Sequence, residues 1–150
     1  MMCKFTESEK SERKALKWLE DKIPTLNIIR LSEIGSYESW DALITRGRQI
    51  EMVEVKIRDL SHDDYPTAYL ELDKVNKMIE ESKEFPSIDV TYYAFYKEDF
   101  ILLIFDLLSS HSIEKNVPMP KTTSGDTEII LKDVCAYPIE NATIIKLKQL

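Results

Sequence analysis

The chain has 150 residues, of which 43% are hydrophobic and 31% are charged, a composition typical of one globular domain and not of a disordered segment. Its net charge of −7 argues against a surface that attracts nucleic acid over its whole area, although it allows a local basic strip. The longest hydrophobic run, Phe100 to Phe105, is far too short to span a bilayer, and no signal-peptide pattern opens the chain.

The first predicted element is a helix. Thr6 and Glu9 have the spacing of a capping box, and the helix should run from there to about Lys22, ended by Pro24. Alternation of hydrophobic and polar residues then predicts three strands, the last two forming a hairpin: residues 26–34, 40–45 and 49–58.

A second helix is predicted after a polar loop, with Leu72, Val75 and Ile79 on one face and an end before Pro86. We expect a single α/β domain over residues 1–150, with a central mixed sheet flanked by helices. The remaining predicted segments are a loop at 59–66, the helix at 67–83, a hairpin of 89–96 and 100–107, an irregular stretch at 109–126, and short strands at 128–131 and 143–147.

The two cysteines indicate the cellular compartment. Cys3 and Cys135 lie far apart and have no partner spacing, so the sequence implies neither a disulfide framework nor a zinc site. We therefore expect a cytoplasmic protein that does not enter a membrane.

The predicted turn of the first hairpin sets the register of its strands. Gly47 and Arg48 form a two-residue loop, and Gly47 takes the first position, where a type II′ turn prefers glycine. Arg46 then faces Gln49, and the count back along both strands places Asp41 opposite Glu54.

Charged residues therefore converge on an otherwise hydrophobic hairpin. Asp41 and Glu54 repel each other unless a cation lies between them, and Lys56 is on the same face as Glu54. Mg²⁺ prefers carboxylate and carbonyl oxygens, so the carbonyl of Val55 is a further candidate ligand. Lys56 would then orient or deprotonate a water, or stabilise charge on a phosphate. Glu-x-Lys also occurs on the predicted helices, where residues two apart point in different directions.

Asp41 followed by Glu54-Val55-Lys56 after a hairpin turn, with a helix before and a helix after, resembles the PD-(D/E)XK nuclease superfamily and its restriction-endonuclease-like fold. The resemblance spans roughly residues 7–107. It implies Asp41 and Glu54 as ligands of Mg²⁺ or Mn²⁺, and Lys56 as the catalytic lysine in hydrolysis of DNA phosphodiester bonds. The residue before Asp41 is Trp40 and not the proline of the family motif, but many members of the family also lack that proline.

Some members of this family carry a glutamate on the first helix, and Glu12 is the candidate here for a further metal ligand. Glu12 falls on the hydrophobic stripe formed by Leu16, Leu19 and Ile23. A glutamate on such a stripe either lies near a helix end in solvent or has a buried partner.

Further basic residues are candidates for the same site. The family often places a lysine or glutamine on the helix after the Glu-x-Lys strand, for which Lys74 is the first candidate and Lys77 the second. Arg46 and Arg48 at the hairpin tip, and Arg58 beyond Lys56, are candidate phosphate contacts, although solvated side chains are the default for each.

Two other patterns favour structural interpretations. His62, Asp63 and Asp64 are adjacent on a loop, where neighbouring side chains rarely converge on one ion. Stacking on bases, as in single-strand binders, is one role for several tyrosines, but most of them fall in predicted elements, where core packing is favoured: residues 65, 69, 92, 93 and 96.

The leading hypothesis is a metal-dependent deoxyribonuclease. So small a domain favours structure-specific or weakly specific cutting, and cutting both strands requires two sites, from a homodimer or a protein partner. The resemblance alone suggests a phage, mobile-element or repair setting. The alternatives are an inactive nuclease fold acting in binding or assembly, and an unrelated α/β domain in which Asp41, Glu54 and Lys56 form an ion-pair network.

Overall fold

The computed structural model describes residues 4–32, 40–85, 87–120 and 128–147. Two helices and nine strands are assigned within these ranges, with a short 3₁₀ turn at Ile139–Asn141 before the last strand. In chain order they are α1 Lys4–Lys22, β1 Leu26–Leu31, β2 Ala42–Arg46, β3 Gln49–Arg58, β4 Thr67–Glu71, α2 Leu72–Ser82, β5 Ile88–Tyr96, β6 Ile101–Asp106, β7 Ser112–Pro120, β8 Ile129–Pro138 and β9 Thr143–Lys146.

The strands form two sheets. The larger has the order β1-β2-β3-β5-β6-β9, and the smaller has the order β4-β8-β7. The pairing of β3 with β5 is parallel, and its crossover passes through β4 and α2, whereas the other pairings in the large sheet are antiparallel. The expected α/β class with a central mixed sheet flanked by helices is therefore confirmed.

Each face of the large sheet covers a hydrophobic core. Helix α1 packs its stripe, including Leu16 and Leu19, against Val53 and Val55 on one face. On the opposite face, α2 and the small sheet pack over a second core that includes Met52. Because side chains alternate along a strand, Glu54 and Lys56 lie on the same face as Met52, towards α2. Strand β3 is thus buried on both sides, which explains its nearly continuous hydrophobic pattern.

Several predicted boundaries were accurate. Strand β3 has the predicted bounds, and β5 and β6 form the predicted hairpin to within one residue at each end. Helix α1 ends at Lys22 as predicted, but it already includes Thr6, so Thr6 is not its N-cap. No helix within the described residues is long and hydrophobic enough to cross a membrane.

Two predictions about the small sheet were wrong. Residues 67–71 were assigned to the second helix, but they form β4, where Ala68 and Leu70 are buried and alternate with partly exposed neighbours. The stretch predicted as irregular contains β7, and the short strand predicted at 128–131 continues to Pro138 as β8. Strand β4 pairs with β8 across a long sequence separation, which local sequence patterns do not encode, whereas β7 and β8 are consecutive strands that pair with each other.

Candidate metal centre

The hairpin that carries the site has the predicted register. Gly47 has a φ of +63°, the region that the first position of a primed turn requires and that glycine adopts without strain. Arg46 pairs with Gln49, and Leu43 pairs with Met52. The turn therefore determines which residues of β2 and β3 face each other at the far end of the hairpin.

Asp41 extends this ladder one residue beyond β2. Its backbone N–H donates to the carbonyl of Val53 at 2.8 Å, and its side-chain Oδ2 accepts a hydrogen bond from the N–H of Val55 at 2.7 Å. These two bonds hold the Asp41 carboxylate against β3 beside Glu54. Because the N–H and C=O of a residue lie on the same edge of a strand, the Val55 carbonyl also lies on the edge that faces Asp41.

Helix α1 supplies a third carboxylate to the same place. Glu12, Asp41 and Glu54 each contribute one oxygen to a group whose members all lie within 4.8 Å of one another. Glu12 is 7% exposed and Glu54 is 1% exposed, whereas Asp41 is partly exposed, so two of the three carboxylates are buried and the third reaches the surface. Of the two alternatives for Glu12, the structure therefore supports the buried one.

Two lysines border the carboxylates. The ammonium of Lys56 lies 3.7 Å from Oε1 of Glu54 and 3.9 Å from Oε1 of Glu12. The ammonium of Lys74, on α2, lies 3.3 Å from Oε2 and 3.5 Å from Oε1 of Glu54. Charge-assisted hydrogen bonds usually measure about 2.7–2.9 Å, so both lysines are held at a looser distance. Lys77, the second candidate on this helix, is exposed.

The electrostatics of the group follow from its burial. Desolvation, followed by the neighbouring carboxylate of Glu12, raises the pKa of Asp41 to about 7. Desolvation, followed by Asp41, raises the pKa of Glu54 to about 7. Burial also raises the pKa of Glu12. For Lys56, desolvation acts to lower the pKa, but the attraction of the three carboxylates outweighs it and the pKa is raised.

These residues fit a hard divalent cation. Oε2 of Glu54 is buried and has no hydrogen-bond partner among the described residues, and the nearby Lys74 ammonium has hydrogen-bond geometry only towards Oε1. A buried carboxylate oxygen without a donor is costly, and a cation coordinated there removes that cost. Clustered carboxylates, with a backbone carbonyl at their edge, form the oxygen ligand set that Mg²⁺ or Mn²⁺ accepts.

The three candidate arginines lie in different surroundings. Arg58 is close to the site, where its guanidinium donates to the hydroxyl of Tyr92 at 2.7 Å and to the carbonyl of Tyr69 at 2.8 Å. Arg46 donates to Oε2 of Glu51 at 2.8 Å, in an ion pair with a buried carboxylate. Arg48 is exposed at the turn, roughly 26 Å along the strand from Lys56.

A second group was only partly anticipated. His62 and Asp63 do approach another carboxylate, but it belongs to Asp99 in the turn between β5 and β6 and not to Asp64. His62 Nδ1 lies 2.6 Å from Oδ2 of Asp99, and the hydroxyl of Ser61 donates to the same oxygen at 2.7 Å. These hydrogen bonds fasten the loop after β3 to the β5–β6 turn, and no local pattern in the sequence identifies Asp99 as the partner.

Comparisons with known proteins find a likeness among solved structures. No family model and no curated protein matches the chain. Among solved structures, the chain is similar to Hjc from Archaeoglobus fulgidus, a Holliday junction resolvase from an archaeal hyperthermophile. The two are 19% identical, with a TM-score of 0.49, and the alignment covers 67% of this chain and 73% of that chain. At this level of likeness, the roles of individual residues rest on the geometry of the site itself.

Proposed function

We propose that the protein is a metal-dependent nuclease of the PD-(D/E)XK type that hydrolyses phosphodiester bonds in DNA. The observation that carries this proposal is the convergence of Glu12, Asp41 and Glu54 within 4.8 Å, with the ammonium of Lys56 at 3.7 Å from Glu54. Helix α1 carries Glu12, and the hairpin of β2 and β3 that follows it carries the other residues, which is the order that the family resemblance implies.

Asp41 and Glu54 would hold the cation, Mg²⁺ or Mn²⁺, with the Val55 carbonyl and Glu12 as further ligands. When bound, such a cation supplies a Lewis acid for a phosphoryl oxygen and lowers the pKa of a water molecule. The protein positions its ligands before binding: the hydrogen bond from the Val55 N–H fixes Asp41, and the buried face of α1 fixes Glu12.

Lys56 would act as a hydrogen-bond donor and not as a base. Its pKa is raised by the surrounding carboxylates, so its ammonium is protonated at neutral pH. A protonated lysine donates a hydrogen bond to a lone pair of the water and so orients it, and it stabilises negative charge that develops on a phosphate. Lys74, which faces the other side of Glu54, would give the same support to charge at the site.

The remaining parts of the proposal concern the assembly. One such site cuts one strand, so cleavage of both strands needs a homodimer or a protein partner that supplies a second site. The small domain has few elements for reading a long sequence, which favours structure-specific or weakly specific cutting. A cytoplasmic location belongs to the same proposal.

Titration calorimetry with Mn²⁺ tests whether the cation site exists. We expect wild-type protein to bind the cation and Glu54→Gln to lose binding, because the variant removes a ligand charge while keeping the side-chain volume. Glu80→Gln, on the exposed face of α2, is the control and should bind as wild type does. If wild type fails to bind the cation at about millimolar concentration, the proposal of a metal centre is wrong.

Plasmid nicking then separates an enzyme from an inactive fold. Wild type with Mg²⁺ or Mn²⁺ should nick supercoiled DNA, and Lys56→Met should lose at least about a hundred-fold in rate, the scale of losing one charge-stabilising donor. Lys83→Met removes an exposed lysine and should retain activity. Cation binding without nicking by wild type would favour the alternative, a nuclease fold that serves in binding or assembly.

A further inference from the structure

A cavity of about 530 Å³ opens beside the candidate metal centre. Its volume falls within the range of roughly 300–1,000 Å³ that is usual for small-ligand sites. The walls are formed by the end of β3, the loop that follows it, β4, β5 and β7. The residues that matter for its chemistry are Arg58, Tyr65, Tyr69, Tyr96, Glu114 and Met119.

This cavity adjoins the two candidate catalytic lysines. A smaller cavity of about 30 Å³ is lined by Lys56 and Lys74, and it shares Arg58, Tyr69 and Met119 with the larger one. A phosphate bound at the lysines therefore lies next to the mouth of the larger cavity. A group attached to that phosphate would therefore be close enough to enter the larger cavity.

The lining matches a planar aromatic ring with polar edges. Tyr65 is 64% exposed, and Tyr69 is partly buried, so both rings are accessible from the cavity, unlike the fully buried Tyr92 and Tyr93. The predicted role of these tyrosines as core residues therefore holds for only part of the set. Tyrosine rings stack on nucleobases of any sequence, since every base presents a π-face.

The charges in the cavity also favour a base over a phosphate. Among the described lining residues, Arg58 is balanced by Glu114, so the cavity carries no excess positive charge for an anion. The Tyr69 hydroxyl donates to Oε1 of Glu114 at 2.9 Å, which leaves carboxylate lone pairs to accept from an amino group on a base edge.

The wall nearest the metal centre is held in place before any ligand binds. The guanidinium of Arg58 is tied to the hydroxyl of Tyr92 and the carbonyl of Tyr69, and the Tyr92 ring stacks on Phe105 with centroids 5.6 Å apart. A preorganised wall lowers the cost of ordering side chains on binding.

We propose that this cavity receives an unpaired nucleobase of the DNA strand that is cut, adjacent to the phosphate at the metal centre. The inference rests on the proposed nuclease function and specifies its substrate: DNA with a nucleotide that is single-stranded or easily extruded. A base inside an intact duplex is stacked and paired on both sides, and it enters only if it is flipped out of the helix.

Fluorescence of 2-aminopurine tests the cavity independently of cleavage. The probe is a DNA duplex with 2-aminopurine as a single unpaired nucleotide, and the matched duplex has it paired with thymine. In EDTA, wild-type protein should bind the unpaired probe more tightly and change its emission. Tyr65→Ala should weaken that binding by roughly 5- to 100-fold, the range for loss of one stacking partner. Tyr65→Phe keeps the ring and should retain binding, and Phe85→Ala, at a 44% exposed aromatic residue that does not line the cavity, is the control.

The outcomes distinguish the cavity from the nuclease activity. Tyr65-dependent binding of the unpaired probe, in a protein that never cuts DNA, supports the cavity and overturns the nuclease proposal. Cleavage that is equal on paired and unpaired duplexes, with unchanged 2-aminopurine emission and no effect of Tyr65→Ala, supports the nuclease and overturns the cavity. Failure to bind either probe and to cut either duplex overturns both.

Discussion

Two glutamates on β3 are equally buried and differ in almost every other respect. Glu51 is 0% exposed and Glu54 is 1% exposed, on opposite faces of the strand. Glu51 accepts a hydrogen bond from Nε of Arg46 at 2.8 Å through one oxygen and from the hydroxyl of Tyr93 at 3.1 Å through the other. Both of its oxygens are therefore matched by donors at ordinary hydrogen-bond distances.

Glu54 has more charge around it and fewer good contacts. Its lysines lie 3.3–3.7 Å away, its Oε2 has no hydrogen-bond partner among the described residues, and Asp41 adds a like charge beside it. A buried carboxylate with matched donors is a structural group, since its desolvation is offset within the fold. A buried carboxylate held loosely among other carboxylates needs a proton or a cation, and the proposed metal centre supplies the cation.

The largest effect that this comparison predicts is on stability at Glu51. Glu51→Gln leaves the guanidinium of Arg46 partly buried without its counter-charge, so we expect the free energy of unfolding to fall by about 3 kcal/mol. Urea denaturation of the metal-free protein measures this.

The double variant Glu51→Met with Arg46→Met is the control for the Glu51 prediction. Replacing both partners by hydrophobic groups removes the unpaired charge, and stability should recover most of the loss. A loss in Glu51→Gln below about 1 kcal/mol would mean that Arg46 and Glu51 contribute no more than an exposed surface pair.

A smaller effect of opposite sign is expected at Glu54. Glu54→Gln removes a carboxylate whose charge is destabilised by burial and by Asp41 in the metal-free state, so the variant should be more stable than wild type by about 1–3 kcal/mol near pH 8, without cation. Millimolar Mn²⁺ should stabilise wild type and leave the variant unchanged, because binding to the native state raises its stability. Thermal melts with EDTA and with Mn²⁺ show both. Destabilisation of the metal-free variant, comparable with that of Glu51→Gln, would make Glu54 structural as well.

The sequence is sufficient to predict that Glu54 meets Asp41, and it is partly sufficient to predict that Arg46 pairs with Glu51. Both glutamates lie on a hairpin whose turn, at Gly47, determines the register locally. The register that brings Asp41 to Glu54 also places Arg46 diagonally across from Glu51 on one face, so the predicted phosphate role of Arg46 overlooked an available ion pair. The hydroxyl of Tyr93 was not predictable, since β5 reaches β3 only through the crossover.

The fold shows the same division between local and distant information. Strands β3, β5 and β6 are hydrophobic enough to be recognised alone. Strands β4, β7 and β8 form because each completes the backbone hydrogen bonds of another, and β7 carries Pro118 within the strand, a residue that normally argues against one. Strand β7 is an edge strand, where proline is tolerated. Lys74, predicted to point from this helix toward the site, lies beside Glu54 although the start of the helix was misplaced, because α2 retains its hydrophobic face.

The pH dependence of stability separates the two glutamates further. The pKa of Glu54 is raised to about 7, so the folded state binds a proton more tightly than the unfolded state. The unfolding free energy of metal-free wild type should therefore fall as the pH rises from about 4.5 to 7 and level off above that. Glu54→Gln lacks this contribution, so its advantage should vanish below about pH 4.5. Urea titrations of both proteins at several pH values measure the difference. If the extra stability of Glu54→Gln did not depend on pH, protonation of Glu54 would not be its cause.

The smallest effect is expected at Arg48, in the turn that precedes β3 and near the end of that strand that carries Glu51. Its side chain is exposed and lies far from the carboxylates, so Arg48→Ala should change stability by less than about 0.5 kcal/mol and DNA affinity by less than about two-fold. Lys74→Ala, on α2 beside the end of β3 that carries Glu54, should weaken DNA binding more, because the Lys74 ammonium borders the proposed phosphate position. Fluorescence anisotropy at several salt concentrations compares them: loss of a phosphate contact lowers the salt slope by about one. A lowered slope for Arg48→Ala and an unchanged slope for Lys74→Ala would move the DNA to the hairpin tip, and the division of β3 into a structural end and a functional end would be wrong.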